Sequence, residues 1–276
     1  MCRTPEEQGG EVHCLYRETS NRCYLPQPEI HWHPGTLENQ NQLIENMRGC
    51  QTLVNIASIG FGHASNIIQA AKEAGIERAV FISTTAIFTK LNSKSKSTRL
   101  AAEAAIQSSD LDYTILRPTM IYGTPRDRNM IRLIRWLLRL PVIPVLGNGN
   151  YLQQPVFVED VAQAIVSCLK ESKTIGKSYN IAGKTPITYN EVIDTIGKLS
   201  NRKILKIHFP DKPVIAVLRM LEKVKLPLPI KAEQVERLNE NKDFAYQEAS
   251  ADFGYSPRSF EEGIRQEMKS LKGSKL

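Results

Sequence analysis

Three hydroxyl side chains end an apolar stretch in the first half of the chain. Residues 79–83 read AVFIS, and Thr84 and Thr85 follow Ser83 directly. The stretch predicts a buried strand, and open α/β sheets bind ligands at the carboxyl ends of their strands. These hydroxyls are therefore placed to meet a ligand. The alternative is that they only satisfy backbone groups where the strand ends.

Two arginines stand at the start of a helical pattern further along the chain. Arg126, Asp127, Arg128 and Asn129 precede the helix predicted at 130–140. Guanidinium groups beside exposed helix N–H groups can bind an anion, so this segment is a candidate substrate site. The alternative is a solvated first turn capped by the aspartate. The helix alternates apolar residues with arginines, and such a basic amphipathic stripe can lie on a membrane, but packing between two lobes is the favoured interpretation.

Four potential metal ligands lie near the amino terminus. Cys14, Cys23, His31 and His33 are close in sequence, and the two histidines share one face of a strand. Zinc requires ligands that converge at about 2–2.3 Å. Because the spacing matches no familiar zinc pattern, the sequence predicts no metal site.

These candidates depend on strands that alternate with helices over residues 11–183. The predicted strands are 11–16, 29–33, 52–57, 79–83, 113–116, 155–158 and 178–181. The predicted helices are 37–47, 64–74, 99–108, 130–140 and 161–169, the last capped by Asp160. This alternation predicts right-handed crossovers and an α/β fold with a doubly wound parallel sheet.

The pattern changes after Gly183. Helices are predicted near 188–199, 212–224, 231–240 and 259–271, separated by proline-rich turns. We therefore predict two domains, a sheet domain at 11–183 and a smaller, mostly helical lobe at 184–272.

Composition excludes several classes of protein. The chain has 276 residues, of which 41% are hydrophobic and 24% charged, so wholesale disorder is excluded. Its net charge of +7 comes from basic residues that are spread along the chain, so no nucleic-acid partner is expected. No apolar run is long enough for a membrane span. Five irregularly spaced cysteines indicate a reducing, cytoplasmic setting.

Five short sequence motifs occur in a specific order and spacing along the chain. They are 80–88 (VFISTTAIF), 116–123 (LRPTMIYG), 155–162 (PVFVEDVA), 179–183 (YNIAG) and 253–260 (FGYSPRSF). Together they resemble the extended and atypical short-chain dehydrogenase/reductase superfamily, of the NAD(P)-dependent epimerase/dehydratase type. The resemblance implies a Rossmann-like domain that binds NAD(P) and a C-terminal lobe that binds a small-molecule substrate.

The resemblance also implies roles for individual residues. Thr84 would hydrogen-bond the substrate oxygen, and Arg99 would hold the cofactor ribose. Arg17, which follows the first predicted strand, would clamp the 2′-phosphate of NADP; its neighbour Glu18 would suit the ribose of NAD instead. The other implied cofactor contacts are Ala57, Ser58, Ser83, Pro118 and Thr119. The implied substrate contacts are Arg126, Arg128, Asn129 and Arg237. At Arg237 the alternative is an ordinary surface arginine.

The chain departs from the family pattern at its start. The family opens with a strand and a glycine-rich turn that approaches the cofactor pyrophosphate. Here Gly9 and Gly10 are followed by a strand, and no such motif is visible. The absent strand would lie between the strands that contain Val12 and Val54. We therefore expect cofactor binding to be weakened.

Two more departures concern chemistry. The tyrosine and lysine of the superfamily's Tyr-x-x-x-Lys pair are replaced by Ser95 and Arg99, and Lys96 is a conceivable substitute. Gln153 occupies the position of an arginine that grips nucleotide-sugar phosphates in related epimerases.

Two classes of function follow from these observations. The first is an NAD(P)-dependent oxidoreductase that acts on a carbinol or carbonyl carbon, with a nucleotide sugar as one candidate substrate. The second is a non-catalytic scaffold or nucleotide-sensing protein, similar to the accessory subunit of respiratory complex I built on this fold, or a truncated product unable to bind cofactor. A homodimer is an open alternative in either class.

Overall fold

The computed structural model describes residues 10–20, 30–91, 94–124, 126–127, 129–224 and 231–273. By its internal contacts the chain divides into two units. The first unit is Met1–Ile87, Ser93–Arg117 and Ile165–Tyr179, and the second is Phe88–Asn92, Pro118–Ala164 and Asn180–Leu276. These boundaries differ from 11–183 and 184–272 because residues 118–164 contact the C-terminal helices. The domain division by function stays a prediction.

Twelve strands and ten helices are assigned among the described residues. The strands are β1 (Val12–Tyr16), β2 (Ile30–Pro34), β3 (Thr52–Asn55), β4 (Arg78–Ile82), β5 (Asp112–Pro118), β6 (Ile121–Tyr122), β7 (Val142–Leu146), β8 (Leu152–Gln153), β9 (Val156–Phe157), β10 (Lys177–Ile181), β11 (Ile187–Thr188) and β12 (Leu205–Phe209). The helices are α1 (Gln40–Met47), α2 (Ala64–Glu73), α3 (Lys94–Gln107), α4 (Met130–Arg139), α5 (Val158–Lys170), α6 (Tyr189–Leu199), α7 (Asp211–Lys223), α8 (Ala232–Leu238), α9 (Gln247–Phe253) and α10 (Phe260–Gly273).

The first unit is built on a four-stranded sheet in the order β10-β5-β4-β3. The pairs β3–β4 and β4–β5 are parallel, with Val54 opposite Val80 and Val80 opposite Thr114. On one face Ala79 and Phe81 pack with apolar residues of α2 and α3. On the other face the Arg78 guanidinium donates to the Cys168 carbonyl of α5 at 3.1 Å. Helices therefore cover both faces, and the predicted α/β fold is confirmed.

A separate two-stranded sheet joins β1 and β2 in parallel, with His13 opposite His31. Among the described strands no ladder connects β1 to β3. The break falls between the strands that contain Val12 and Val54, where the sequence analysis placed the absent strand. Ile56 and Phe61, after β3, are 75% and 77% exposed. The absence of a glycine-rich motif from the chain stays a prediction.

The second unit has a core in which helices pack around short strands. Its buried side chains come mainly from α4, α6 and α10, and include Ile134, Leu137, Ile193, Ile196 and Ile264. The strands pair as β7–β12, β8–β11 and β6–β9. Among the residues described, no helix is both long and apolar enough to cross a membrane.

Several predicted elements change at their ends or were missed. α5 begins at Val158, so Asp160 lies inside its first turn and is not the helix cap that the sequence analysis expected. Its carboxylate instead accepts hydrogen bonds from the Arg258 backbone N–H at 3.0 Å and from Nε at 2.9 Å. The strands β7 and β12 and the helix α9 were missed. β12 and α9 are short and mix polar with apolar residues, and Pro144 interrupts the apolar run of β7.

Candidate functional site

A buried polar network lies at the carboxyl ends of β4 and β5 in the first unit. The Glu103 carboxylate, on α3, accepts bonds from Arg117 Nε at 3.1 Å to each oxygen and from Nη2 at 2.6 Å. It also accepts a bond from the Ser83 hydroxyl at 2.5 Å. Ser83 is thus engaged with protein, and its predicted cofactor contact stays a prediction. Sequence analysis gave Glu103 no role, although a single acidic residue between alanines in α3 could have indicated a buried, paired carboxylate.

The Thr84 hydroxyl lies beside this network with a different partner. It accepts a hydrogen bond from the Ala86 N–H at 3.2 Å, and the residue is half-buried. A hydroxyl that accepts one bond can still donate its own hydrogen. Thr84 is therefore chemically able to bond a ligand oxygen, as its predicted role requires.

Arg99 lies against the segment that follows β3. A Cβ placed on Gly60 would come within 3.0 Å of Arg99 Nε, so the guanidinium packs directly on this backbone. Ser58 shapes the segment by accepting the Gly60 N–H at 3.3 Å, and the Asn55 amide donates to the Ala57 carbonyl at 3.1 Å. The structure thus brings together three of the residues predicted to contact the cofactor, namely Ala57, Ser58 and Arg99.

Ser95 takes part in the local structure around Arg99. Arg99 Nη1 donates to the Ser95 carbonyl, one helical turn earlier, at 3.3 Å. The tyrosine of the superfamily pair would stand at Ser95. Of the described tyrosines in this unit, Tyr113 donates to the Gly176 carbonyl, Tyr179 is buried in β10 and Tyr16 packs edge-on to Trp32.

Arg17 and Glu18 are exposed in the turn after β1. The Arg17 N–H donates to the Ser20 hydroxyl at 3.2 Å, and the Ser20 N–H returns a bond to the Arg17 carbonyl at 2.7 Å. The turn places both side chains at the carboxyl end of the strand, as the sequence analysis expected.

In the second unit, Thr119 is occupied by bonds within the protein. Its hydroxyl donates to the Gln154 carbonyl at 2.5 Å, and its N–H donates to the Ile181 carbonyl at 3.1 Å. The residue is buried, directly after Pro118 ends β5. This environment favours a structural role for Thr119, and the predicted cofactor contacts of both residues stay predictions.

The predicted anion site at the start of α4 is filled by an acid of the chain. Asp127 accepts the Asn129 N–H at 2.9 Å and the Ile131 N–H at 3.1 Å. An anion at the start of α4 would need these N–H groups, so the structure favours the alternative of an aspartate cap. Arg126 is exposed, and Arg128 lies outside the described residues.

Two further candidates are held in local contacts. Arg237, on α8, pairs with Glu233 one turn earlier at 2.8 Å, and its predicted substrate contact stays a prediction beside the alternative of a surface arginine. Gln153 is buried in β8, which pairs with β11. Its neighbour Gln154, which sequence analysis missed, donates to the Gly183 carbonyl and accepts the Phe244 N–H.

An open depression of about 600 Å³ lies elsewhere in the second unit. It is lined by Gly147, Asn148, Tyr151, His208, Phe209, Pro210 and Asp211. None of the predicted site residues lines it.

Comparison with known proteins identifies the family. A family model described as NAD(P)H-binding matches residues 4–172, more than half of the chain. The chain belongs to the NAD(P)H-binding family. This match confirms the resemblance seen in the sequence. The chain also shares its fold with solved epimerases. A solved UDP-glucose 4-epimerase from Thermotoga maritima, with UDP-glucose, has a TM-score of 0.76 at 14% identity over 98% of this chain and 93% of that one.

Curated relatives of this NAD(P)H-binding chain carry different names. The "NADH dehydrogenase [ubiquinone] 1 alpha subcomplex subunit 9, mitochondrial" of Arabidopsis thaliana is 29% identical over 64% of this chain and 45% of its own length. A UDP-glucuronate 4-epimerase of Thermodesulfobacterium geofontis is 24% identical over 54% of this chain and 53% of its own. The chain thus spans about half the length of these relatives.

Proposed function

We propose that this chain binds NAD(P)H as a scaffold or nucleotide-sensing subunit and does not transfer hydride. One observation carries the proposal: Arg99 packs on the segment after β3, with a serine at the position of the family's proton-donating tyrosine. A serine hydroxyl is a far poorer general acid than a phenol at neutral pH. Arginine stays protonated, so Arg99 can hold a ribose but cannot exchange a proton.

The described residues of the first unit fit the nucleoside half of the cofactor. Ala57 and Ser58 follow the parallel strand β3, Arg99 lies against the same segment, and exposed Arg17 follows β1. No glycine turn that opens a helix follows β1 among the described residues. We therefore assign no residue to the pyrophosphate. The relative named as a subunit of NADH dehydrogenase supports a subunit role.

Titration of the purified chain with NADPH and NADH tests binding. We expect nicotinamide fluorescence to change and the melting temperature to rise, because a ligand that binds only the folded state stabilises it. Arg99→Ala should weaken binding at least tenfold. Arg48→Ala, which removes an exposed arginine at the end of α1 in the same unit, is the matched control and should bind normally.

Two readouts then test catalysis: the absorbance of reduced nicotinamide and chromatography of the sugar nucleotide, because an epimerase returns the hydride and accumulates no reduced cofactor. With NAD+ and either UDP-glucose or UDP-glucuronate, we expect neither reduced cofactor nor an altered sugar nucleotide to form. Turnover that Thr84→Val abolishes would overturn the non-catalytic proposal. Failure of both cofactors to bind at millimolar concentration would overturn the proposal of an NAD(P)H-binding subunit itself.

The second candidate is an NAD(P)-dependent oxidoreductase that acts on a carbinol or carbonyl carbon. The observation in its favour is the Thr84 hydroxyl, which accepts one bond and can donate its hydrogen to a substrate oxygen. The fold shared with a UDP-glucose 4-epimerase makes a nucleotide sugar the first substrate class to test. The same turnover assay distinguishes the two candidates.

Two further proposals concern the oligomeric state of the chain and its location in the cell. We propose a homodimer, supported by exposed Val217 and Met220 on α7, a helix with no buried side chain, and by exposed Val224 directly after it. Sedimentation equilibrium would test it. We also propose a cytoplasmic location from the cysteine usage. Because one curated relative is named mitochondrial, fractionation of cells that express the tagged chain should decide this point.

A further inference from the structure

Three histidines and one glutamate meet on one face of the two-stranded sheet. His13 of β1 and His31 of β2 are direct partners across the parallel pair, and His33 lies two residues further along β2. The His13 ring stacks on His31 at 4.8 Å and on His33 at 5.1 Å between centroids. Side chains alternate between the two faces of a strand, so this parity puts all three imidazoles on the same side.

Three donor atoms of this cluster converge. His13 Nε2 lies 3.6 Å from Glu11 Oε2, and His31 Nε2 lies 3.9 Å from the same oxygen. One ligand atom from each residue falls within 4.8 Å of the others. Tetrahedral zinc with ligands at about 2.0–2.1 Å requires separations of about 3.3 Å between them. Because Glu11 and His31 are largely exposed, small rotations can close the difference.

His33 is placed to orient His13. His13 Nδ1 and His33 Nε2 are 2.9 Å apart, which is a hydrogen bond. If the His13 Nδ1–H donates to His33, the lone pair of His13 lies on Nε2, which faces Glu11. A hydrogen bond from the second ring nitrogen is the usual way to fix the tautomer of a metal-binding histidine.

We propose that Glu11, His13 and His31 bind a divalent transition-metal ion of the zinc class, with His33 as a positioning residue. Two imidazoles and a carboxylate suit zinc, whereas calcium and magnesium prefer oxygen ligands alone. Three protein ligands leave one tetrahedral position for water. The bound ion would link β1 to β2, so it would stabilise this sheet.

The sequence analysis had found no metal pattern because it considered a different set of residues. It grouped Cys14 and Cys23 with His31 and His33. Parity puts Cys14 on the opposite face of β1 from His13, and Cys23 lies outside the described residues. The proposed ligands lie on β1, on β2 and at the residue before β1. Only the pairing register of the two strands brings them together.

Calorimetric titration of the tag-free, chelator-treated chain with Zn²⁺ tests the site. We expect one ion per chain with a dissociation constant in the micromolar range or tighter. His13→Ala and His31→Ala should each weaken binding at least tenfold. The matched control is His63→Ala with His208→Ala, which removes the chain's other two histidines and should bind normally.

Further variants separate binding from misfolding. Glu11→Gln changes a 78%-exposed residue outside the strands and should weaken binding with an unchanged circular dichroism spectrum. His33→Ala should weaken binding about 10–100-fold. His33→Gln should restore most of it, since the amide oxygen can accept the His13 N–H.

Cobalt substitution gives an independent readout. The Co²⁺-loaded chain should show the visible absorption bands of tetrahedral coordination, and His31→Ala should abolish them. The proposal is overturned if the wild-type chain binds Zn²⁺ more weakly than about 1 mM. It is equally overturned if the folded cluster variants bind as tightly as the wild type.

Discussion

At the scale of single residues, Glu103 carries a charge that is 3% exposed. Arg117 contacts the Glu103 carboxylate through three hydrogen bonds, and Ser83 contacts it through one. Loss of one member of a buried ion pair costs about 3–5 kcal/mol, because the other charge loses its compensation. Glu103→Ala should therefore lower the free energy of unfolding by about that amount in urea denaturation.

A control isolates the effect of this burial. Glu77→Ala removes an exposed carboxylate from the same unit and should change the free energy of unfolding by less than about 0.5 kcal/mol. Equal effects of the two substitutions would contradict the role assigned to the Glu103 network.

Glu267 presents a different electrostatic situation in the second unit. The residue lies on α10 and is 1% exposed. Its pKa is raised from 4.5 to about 9, mainly by burial and secondly by the neighbouring Asp127. At neutral pH the folded chain therefore keeps this proton while the unfolded chain loses it. Stability should therefore fall through this group as the pH rises from about 5 to about 9.

Glu267→Gln should remove this pH dependence. The variant should exceed the wild type in free energy of unfolding at pH 8, and the difference should shrink as the pH falls toward 4.5. Glu171→Gln, at an exposed position, should leave the wild-type slope unchanged. Denaturation curves with parallel pH dependence for wild type and Glu267→Gln would disprove the assignment.

At the scale of elements, Gly183 shows why the YNIAG motif ends in glycine. A Cβ at this position would lie 2.0 Å from the Pro155 carbonyl oxygen, a backbone atom that cannot move by itself. The Gly183 carbonyl also accepts the Gln154 side-chain amide at 2.8 Å. The close approach therefore fixes the segment after β10 against the segment before β9.

Gly183→Ala should destabilise the chain by about 3 kcal/mol, because the backbone must shift to admit the methyl group. Thermal unfolding would measure the loss. Gly10→Ala is the control, since a Cβ there meets nothing within 4 Å. An unchanged melting temperature for Gly183→Ala would show that the segment yields without cost.

Helix starts illustrate how far local sequence can predict an element. The sequence correctly expected the start of α4 at Met130, and it left open an anion site or an aspartate cap there. Asp127 favours the cap, because it accepts the N–H groups of Asn129 and Ile131 at the start of the helix, and the anion site stays a prediction. At α5 the predicted cap was wrong, because Asp160 contacts Arg258, which lies 98 residues further along the chain. Local patterns do not reveal such distant partners.

At the scale of the whole molecule, the net charge of +7 allows a prediction about partners. Binding to nucleic acids depends on a continuous surface of cations that displaces counterions. Here the basic residues are dispersed, and several are paired with acids, such as Lys206 with Asp194 and Arg258 with Glu159. Fluorescence anisotropy with duplex DNA at physiological salt should give a dissociation constant weaker than about 10⁻⁴ M. Tight, salt-sensitive binding would contradict this reasoning.

The sequence by itself determined the α/β class, the strands β3, β4, β5 and β10, and the family. The apolar runs of β4 and β5 are typical of buried parallel strands, and the order of the motifs along the chain can be read without coordinates. Only the tertiary structure decided that Glu103 holds Ser83 and Arg117, that Arg99 packs on Gly60, and that three histidines share one face. Each of these depends on which strands and helices become neighbours, and on their register. Those choices are set by packing between residues far apart in the chain.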